Sequence, residues 1–195
     1  MALISTKTIL TSLSLFHLTI AFFFLTNPRS IADNAVVDLL GEAMGLPHSR
    51  SFQTQSPALA FLAAILAMVG ISDMVTLSLP DDICLGHYWS MQAPLRLFFT
   101  FTMVLYTFFF SSSSPLYSET ASTSSSPFTH PSATNIPAGY APSGWGGDAL
   151  KNSVVFTFMF VETISWFWVW VTLQEERSQL AARKTRRRSS HGYNH

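Results

Sequence analysis

Four stretches of this chain, roughly Thr8–Leu25, Pro57–Leu79, Gln92–Phe110 and Asn152–Leu173, are runs of mainly apolar residues. A bilayer core about 30 Å thick is crossed by about 20 such residues in a helix that rises about 1.5 Å per residue. Each run meets that length or nearly so. The expected fold class is therefore an all-α membrane protein with four transmembrane helices. Residues 1–175 would form one membrane domain and residues 176–195 a basic cytosolic tail.

Composition agrees. Only 11% of the 195 residues are charged, where a soluble domain carries about 25%. Net charge is zero, which gives no general attraction to nucleic acid or acidic surfaces. The single cysteine, Cys84, excludes an intramolecular disulfide. It is expected as a loop thiol, with palmitoylation near a membrane surface as the sharper alternative. The first run is longer than a signal-peptide core, and Leu25-Thr26-Asn27-Pro28-Arg29 is a poor cleavage site, so it is expected to be a retained signal-anchor helix.

Between the runs the chain changes character. Residues 30–45 place Ile31, Ala35, Val36, Leu39, Leu40, Ala43 and Met44 at helical spacing, with Asp33, Asn34, Asp38 and Glu42 mostly opposite. That pattern predicts a short amphipathic helix, capped by Ser30 and ended by Gly45 and Pro47, lying on a membrane surface or against its neighbours. The second run pairs Ala60 with Ala64 and Ala63 with Ala67, with Gly70 beyond. Small residues let helices approach closely in lipid, so this run is expected to be the central, most buried helix. The connection from Pro80 to about Met91 is expected to be a short polar loop with Tyr88 and Trp89 at the interface. The third run is expected to face lipid. Residues 111–151 are rich in serine and proline and are expected to be a disordered insert. The tryptophans of the fourth run cluster in its second half, as an interfacial belt would.

Orientation follows from basic residues. Six of the eleven lysines and arginines lie between Arg177 and Arg188. Positive residues favour the cytosolic side, so the tail is expected there. Four crossings then place the N-terminus in the cytosol as well, with residues 27–56 and 111–151 in the lumen.

Ionisable groups within a bilayer are costly and face the bundle interior or water. Four stand out: His17, Asp73, Arg96 and Glu162. His17 and Glu162 fall at similar depth, so they can share a hydrogen bond or proton if their helices touch. The functional reading is a proton relay or polar ligand site; the plainer one is an assembly contact. Asp73 lies about 9 Å and Arg96 about 6 Å from the expected cytosolic ends of their runs. The short loop between these runs predicts antiparallel neighbours joined by an Asp73–Arg96 ion pair. In the tail, Arg183, Lys184, Arg186, Arg187 and Arg188 suit anionic headgroups, endoplasmic reticulum retention, or topology alone, and Ser189-Ser190 beside them suits a kinase site.

Soluble catalytic signatures, including G-x-S-x-G, the P-loop and H-E-x-x-H, are missing from the sequence. No cofactor or metal is expected, and the chain is expected not to be an enzyme. A lipid-modifying activity would have only Asp81, Asp82, His87 and Tyr88 at one interface. A transporter or channel using His17, Asp73 and Glu162 is the stronger alternative to a scaffold.

Met1-Ala2-Leu3-Ile4-Ser5, Ser12-Leu13-Ser14-Leu15-Phe16-His17-Leu18-Thr19 and Leu25-Thr26-Asn27-Pro28 resemble the fungal "increased loss of mitochondrial DNA" protein family, as do Gly41-Glu42-Ala43-Met44-Gly45 and Ser72-Asp73. The resemblance covers 1–110 and 150–175. It implies a small endoplasmic reticulum membrane protein linked to mitochondrial genome maintenance and assigns no catalytic residue. The implied partners are the bilayer and other membrane proteins. Direct nucleic-acid contact is not expected, because the basic cluster is short, terminal and without interleaved aromatics.

Overall fold

The computed structural model describes residues 4–48, 50–111 and 146–192, which are helical with short connections and contain no strand. Four long helices dominate: α1 (Thr6–Thr26), α4 (Pro57–Thr76), α6 (Trp89–Phe109) and α7 (Ser153–Gly192). Short helices α2 (Arg29–Ala32) and α3 (Ala35–Ala43) follow α1, and α5 (Asp81–Ile83) with a wide turn over Cys84–Tyr88 leads into α6.

Local chemistry sets these limits. Ser5 Oγ accepts from the Thr8 amide at the start of α1, and α1 ends before Asn27-Pro28. Pro57 opens α4 at the position where a missing N–H costs nothing, behind a Ser56 cap. Asn152 Oδ1 accepts from the Val155 amide at the start of α7. Within the spans, Thr11, Ser14, Thr19, Thr163 and Thr172 donate to carbonyls four residues back, which hides their hydroxyls from lipid.

Three helices are long and apolar enough to cross a membrane: Thr6–Thr26, Pro57–Thr76 and the Ser153–Gln179 part of α7. The expected fourth crossing, α6, has a matching 21 residues. Ser90, Gln92, Arg96, Thr100, Thr102 and Thr107 dilute its hydrophobicity. The described residues are thus helical with short connections and no strand, and three of their segments qualify by length and composition.

The order across the bundle is α4, α1, α7, α6: α1 packs on α4 and α7, and α7 packs on α1, α3 and α6. This corrects the placement of the second run. α4 is peripheral, with 22% of its apolar window buried against 33% in α1 and α7. Its buried residues, Leu59, Ala63, Gly70 and Asp73, make one narrow stripe, while Phe61, Met68, Ile71 and Val75 point outward. A single small-residue stripe serves one neighbour. α4 and α6 do not pack along their length, so the expected antiparallel neighbours are instead bridged by side chains alone.

The predicted helix over 30–45 is split. Asp33 ends α2, and Asn34 restarts the chain by accepting from the Val36 amide at 2.9 Å. Ser30 is not the cap. Gly45, at φ 63°, closes α3: its amide donates to Glu42 O and the Leu46 amide to Gly41 O. The packed face of α3 is Val37 and Gly41 rather than the expected set, since Val36 and Leu39 are exposed. Gly41 meets α7, where a Cβ would lie 2.6 Å from that of Ser153.

The expected loop from Pro80 to Met91 is helical from Asp81 onward. Cys84 and Trp89 are completely buried rather than exposed or interfacial. They join Leu10, Leu13, Ala93, Trp166, Val169 and Leu173 in a core at the end of the bundle from which α7 continues. Trp166 is therefore core, while Trp168 of the expected belt is exposed. The serine-rich insert lies outside the described residues over 112–145. So do the side chains of Arg183, Lys184, Arg186, Arg187 and Arg188, although the backbone of α7 stays helical to Gly192.

Candidate functional site

The four ionisable candidates singled out by the sequence come from four different helices: His17 from α1, Asp73 from α4, Arg96 from α6 and Glu162 from α7. Sequence periodicity cannot choose a helix face in lipid, because every face is apolar. Burial of polar side chains makes that choice here. His17 and Glu162 are each 4% exposed.

Glu162 Oε1 and His17 Nε2 share a hydrogen bond of 2.8 Å, and Glu162 Oε2 accepts from the Trp166 indole N–H at 2.7 Å. Both carboxylate oxygens are thus engaged, across one helix contact and along one helical turn. Asp73 and Arg96 form a two-pronged pair, Nη1 to Oδ2 at 2.6 Å and Nη2 to Oδ1 at 2.9 Å. This geometry fixes both planes and is stronger than a single contact.

Aromatic rings connect the two pairs. The Arg96 guanidinium lies 4.9 Å from the centre of the Trp166 ring and 5.4 Å from that of Trp89. These two indoles stack at 5.8 Å. A cation over an indole face is attracted by the ring quadrupole, more so away from water. His17, Glu162, Trp166, Arg96 and Asp73 therefore form one continuous polar chain through all four long helices.

A second cluster closes the end from which α7 continues. The Thr6 amide, an unpaired donor at the start of α1, donates to Glu176 Oε1 at 2.9 Å. Lys7 Nζ lies 2.5 Å from Asp81 Oδ1 at the surface. Beneath them, burial pushes the Cys84 thiol up, with Lys7 partly offsetting it. Asp82, His87 and Tyr88 do not join the polar chain of His17, Glu162, Trp166, Arg96 and Asp73. Among the described residues, no three His, Cys, Asp or Glu side chains converge to hold a metal ion.

Sequence reasoning missed Trp166, Trp89 and Glu176. The four-residue spacing of Glu162 and Trp166 was a usable signal, since such positions share a helix face. Nothing local marks Glu176 as the cap of a helix 170 residues away.

No curated protein and no solved structure matches this chain. One family does, described as Increased loss of mitochondrial DNA protein 1 (Ilm1), and it matches residues 4–183. That span takes in α1, α4 and α6 whole, α7 as far as residue 183, and every member of the polar chain. The protein belongs to the Ilm1 family.

Proposed function

We propose that this protein is a non-enzymatic scaffold or assembly subunit of the endoplasmic reticulum membrane, needed indirectly for mitochondrial genome maintenance. It crosses the bilayer four times, with α6 as the fourth span and both termini in the cytosol. The 21 residues of α6 match those of α1 and bring Arg96 to the buried Asp73. The basic residues after Arg177 favour the cytosol for the tail. The exposed Val36 and Leu39 of α3 suit the lumenal membrane surface.

One observation carries the scaffold reading. The buried carboxylates are engaged by side chains of other helices or of the next turn, as an assembly contact requires. The tail arginines would then set topology and hold the protein near anionic headgroups. Partners are other membrane proteins, and no nucleic acid is contacted directly.

The test is complementation in cells lacking the protein, scored as retained respiratory competence against the abundance of each variant. Glu162→Gln is expected to lose function only in proportion to lost protein. Loss at normal abundance, together with proton flux in reconstituted vesicles that the variant abolishes, would establish the transporter reading through His17, Asp73 and Glu162 instead. A glycosylation acceptor inserted within 112–145 is expected to be modified, and an unmodified acceptor would overturn the orientation.

A further inference from the structure

α4 and α6 stand apart above α1 and α7, and the gap between them is a cleft of about 480 Å³. Leu66 and Val69 form one wall, Leu95 and Phe99 the other, and Met159 part of the floor. Leu95 and Phe99 are more than half exposed, so the cleft opens sideways rather than to the ends of the bundle. Arg96, His17 and Glu162 also line it.

The contents of such a cleft follow from its size and its polar end. A further helix is about 10 Å wide, and three turns of it occupy on the order of 1,000 Å³. The cleft is smaller than that and falls within the range of about 300–1,000 Å³ typical of small-ligand sites. Its walls are aliphatic and aromatic. At one end sits a guanidinium whose side chain is 24% exposed. Asp73 takes up two of its nitrogens, and the Nε–H makes no hydrogen bond among the described residues. The pair is neutral overall, so its remaining donor suits an uncharged acceptor better than a free anion.

We propose that this cleft holds one acyl chain of a glycerolipid, with an ester carbonyl oxygen accepting from Arg96. Chain and carbonyl are supplied together by the bilayer into which the cleft opens. The site gives the scaffold a bound lipid wedged between α4 and α6, which are not packed along their length. The proposal rests on α6 lying in the bilayer, as in the four-span reading.

The experiment uses the full chain in phosphatidylcholine vesicles doped with phosphatidylcholine bearing a photoactivatable group at mid-chain. Peptide mapping after illumination compares the cleft residues with the outward residues Phe61, Met68 and Ile71 of α4 and Phe98 and Phe101 of α6. Label is expected to be enriched severalfold at the cleft. It should fall to the outward level in Val69→Trp, which fills the wall, and in wild-type protein given the dialkyl ether analogue, which lacks the carbonyls. Excess inorganic phosphate is expected to leave the label unchanged. Even labelling of all faces would overturn the site, and enrichment that survives the ether analogue or yields to phosphate would overturn the carbonyl contact. Label absent from Phe98 and Phe101 as well would remove α6 from the bilayer and so sink the four-span reading itself.

Discussion

The two main seams of the bundle are built from opposite materials. Between α1 and α4 the contact is made by absence: Ala63 is fully buried, and a Cβ on Gly70 would lie 3.0 Å from the Ser14 carbonyl oxygen. Between α6 and α7 it is made by bulk, with Trp89 stacked on Trp166 and Arg96 laid over both. With all four helices in the bilayer, as proposed, neither seam gains from hiding hydrocarbon, because lipid is as apolar as leucine. One seam gains dispersion and backbone approach, and the other gains rings and charge. The first should fail when something is added, and the second when something is taken away.

The largest effect is expected at the joint between the outer helices. Arg96→Met leaves Asp73 buried without a partner and removes the cation from the indole faces. Breaking a buried pair from one side costs about 3–5 kcal/mol. Thermal unfolding in mild detergent should show that loss, and adding Asp73→Leu should recover most of it. A single variant as stable as wild type would mean that the pair contributes nothing to the seam.

Gly70→Leu comes next and probes the other seam. Its side chain must displace the Ser14 backbone, and overpacking of this kind costs about 1–3 kcal/mol. Gly86→Ala meets nothing within 4 Å and should be neutral, which makes it the control. An equal effect of both would show that α1 and α4 do not depend on close approach.

These seams also mark how far the sequence was legible. The long helices were visible because a 20-residue apolar run is a one-dimensional signal. The Glu162–His17 and Asp73–Arg96 contacts could be anticipated because depth in a bilayer is also one-dimensional. The order α4, α1, α7, α6 could not, since it depends on which way each helix is rotated. Alanines on α4 suggested a central helix, yet Ala60 and Ala64 are exposed and only one stripe is packed. Trp89 and Trp166 looked interfacial because indoles usually are, and the structure places them instead in the core around Arg96.

A smaller effect separates ring from hydrogen bond at the aromatic seam. Trp166→Phe keeps a ring under Arg96 but removes the N–H that donates to Glu162. Hydrogen bonds between membrane-embedded side chains are worth about 0.6 kcal/mol on average and at most about 1.7. A loss of about 1 kcal/mol is expected, against a larger one for Trp166→Ala, which also empties the space. Equal losses for the two would assign the whole contribution to the Glu162 hydrogen bond.

The smallest effect lies where the seams meet. Cys84 is fully buried at the end of the bundle, in one core with Leu10 of α1, Trp89 of α6 and Leu173 of α7. Burial holds its thiol above the ordinary range, and only the thiolate attacks an alkylating reagent. Native Cys84 should therefore react slowly at pH 8 and reach the rate of a free thiol only after unfolding. Lys7→Met removes a charge that lowers the thiol, and also an exposed ion pair to Asp81 of the kind worth at most about 1 kcal/mol. It should leave melting nearly unchanged. By contrast, Arg96→Met should speed alkylation, because it loosens the stack that covers Cys84, and Gly70→Leu should do so less, because Gly70 packs on Ser14, His17 and Leu18 farther along α1. The reverse order would mean that α1, rather than the indole stack, is what seals this end of the bundle.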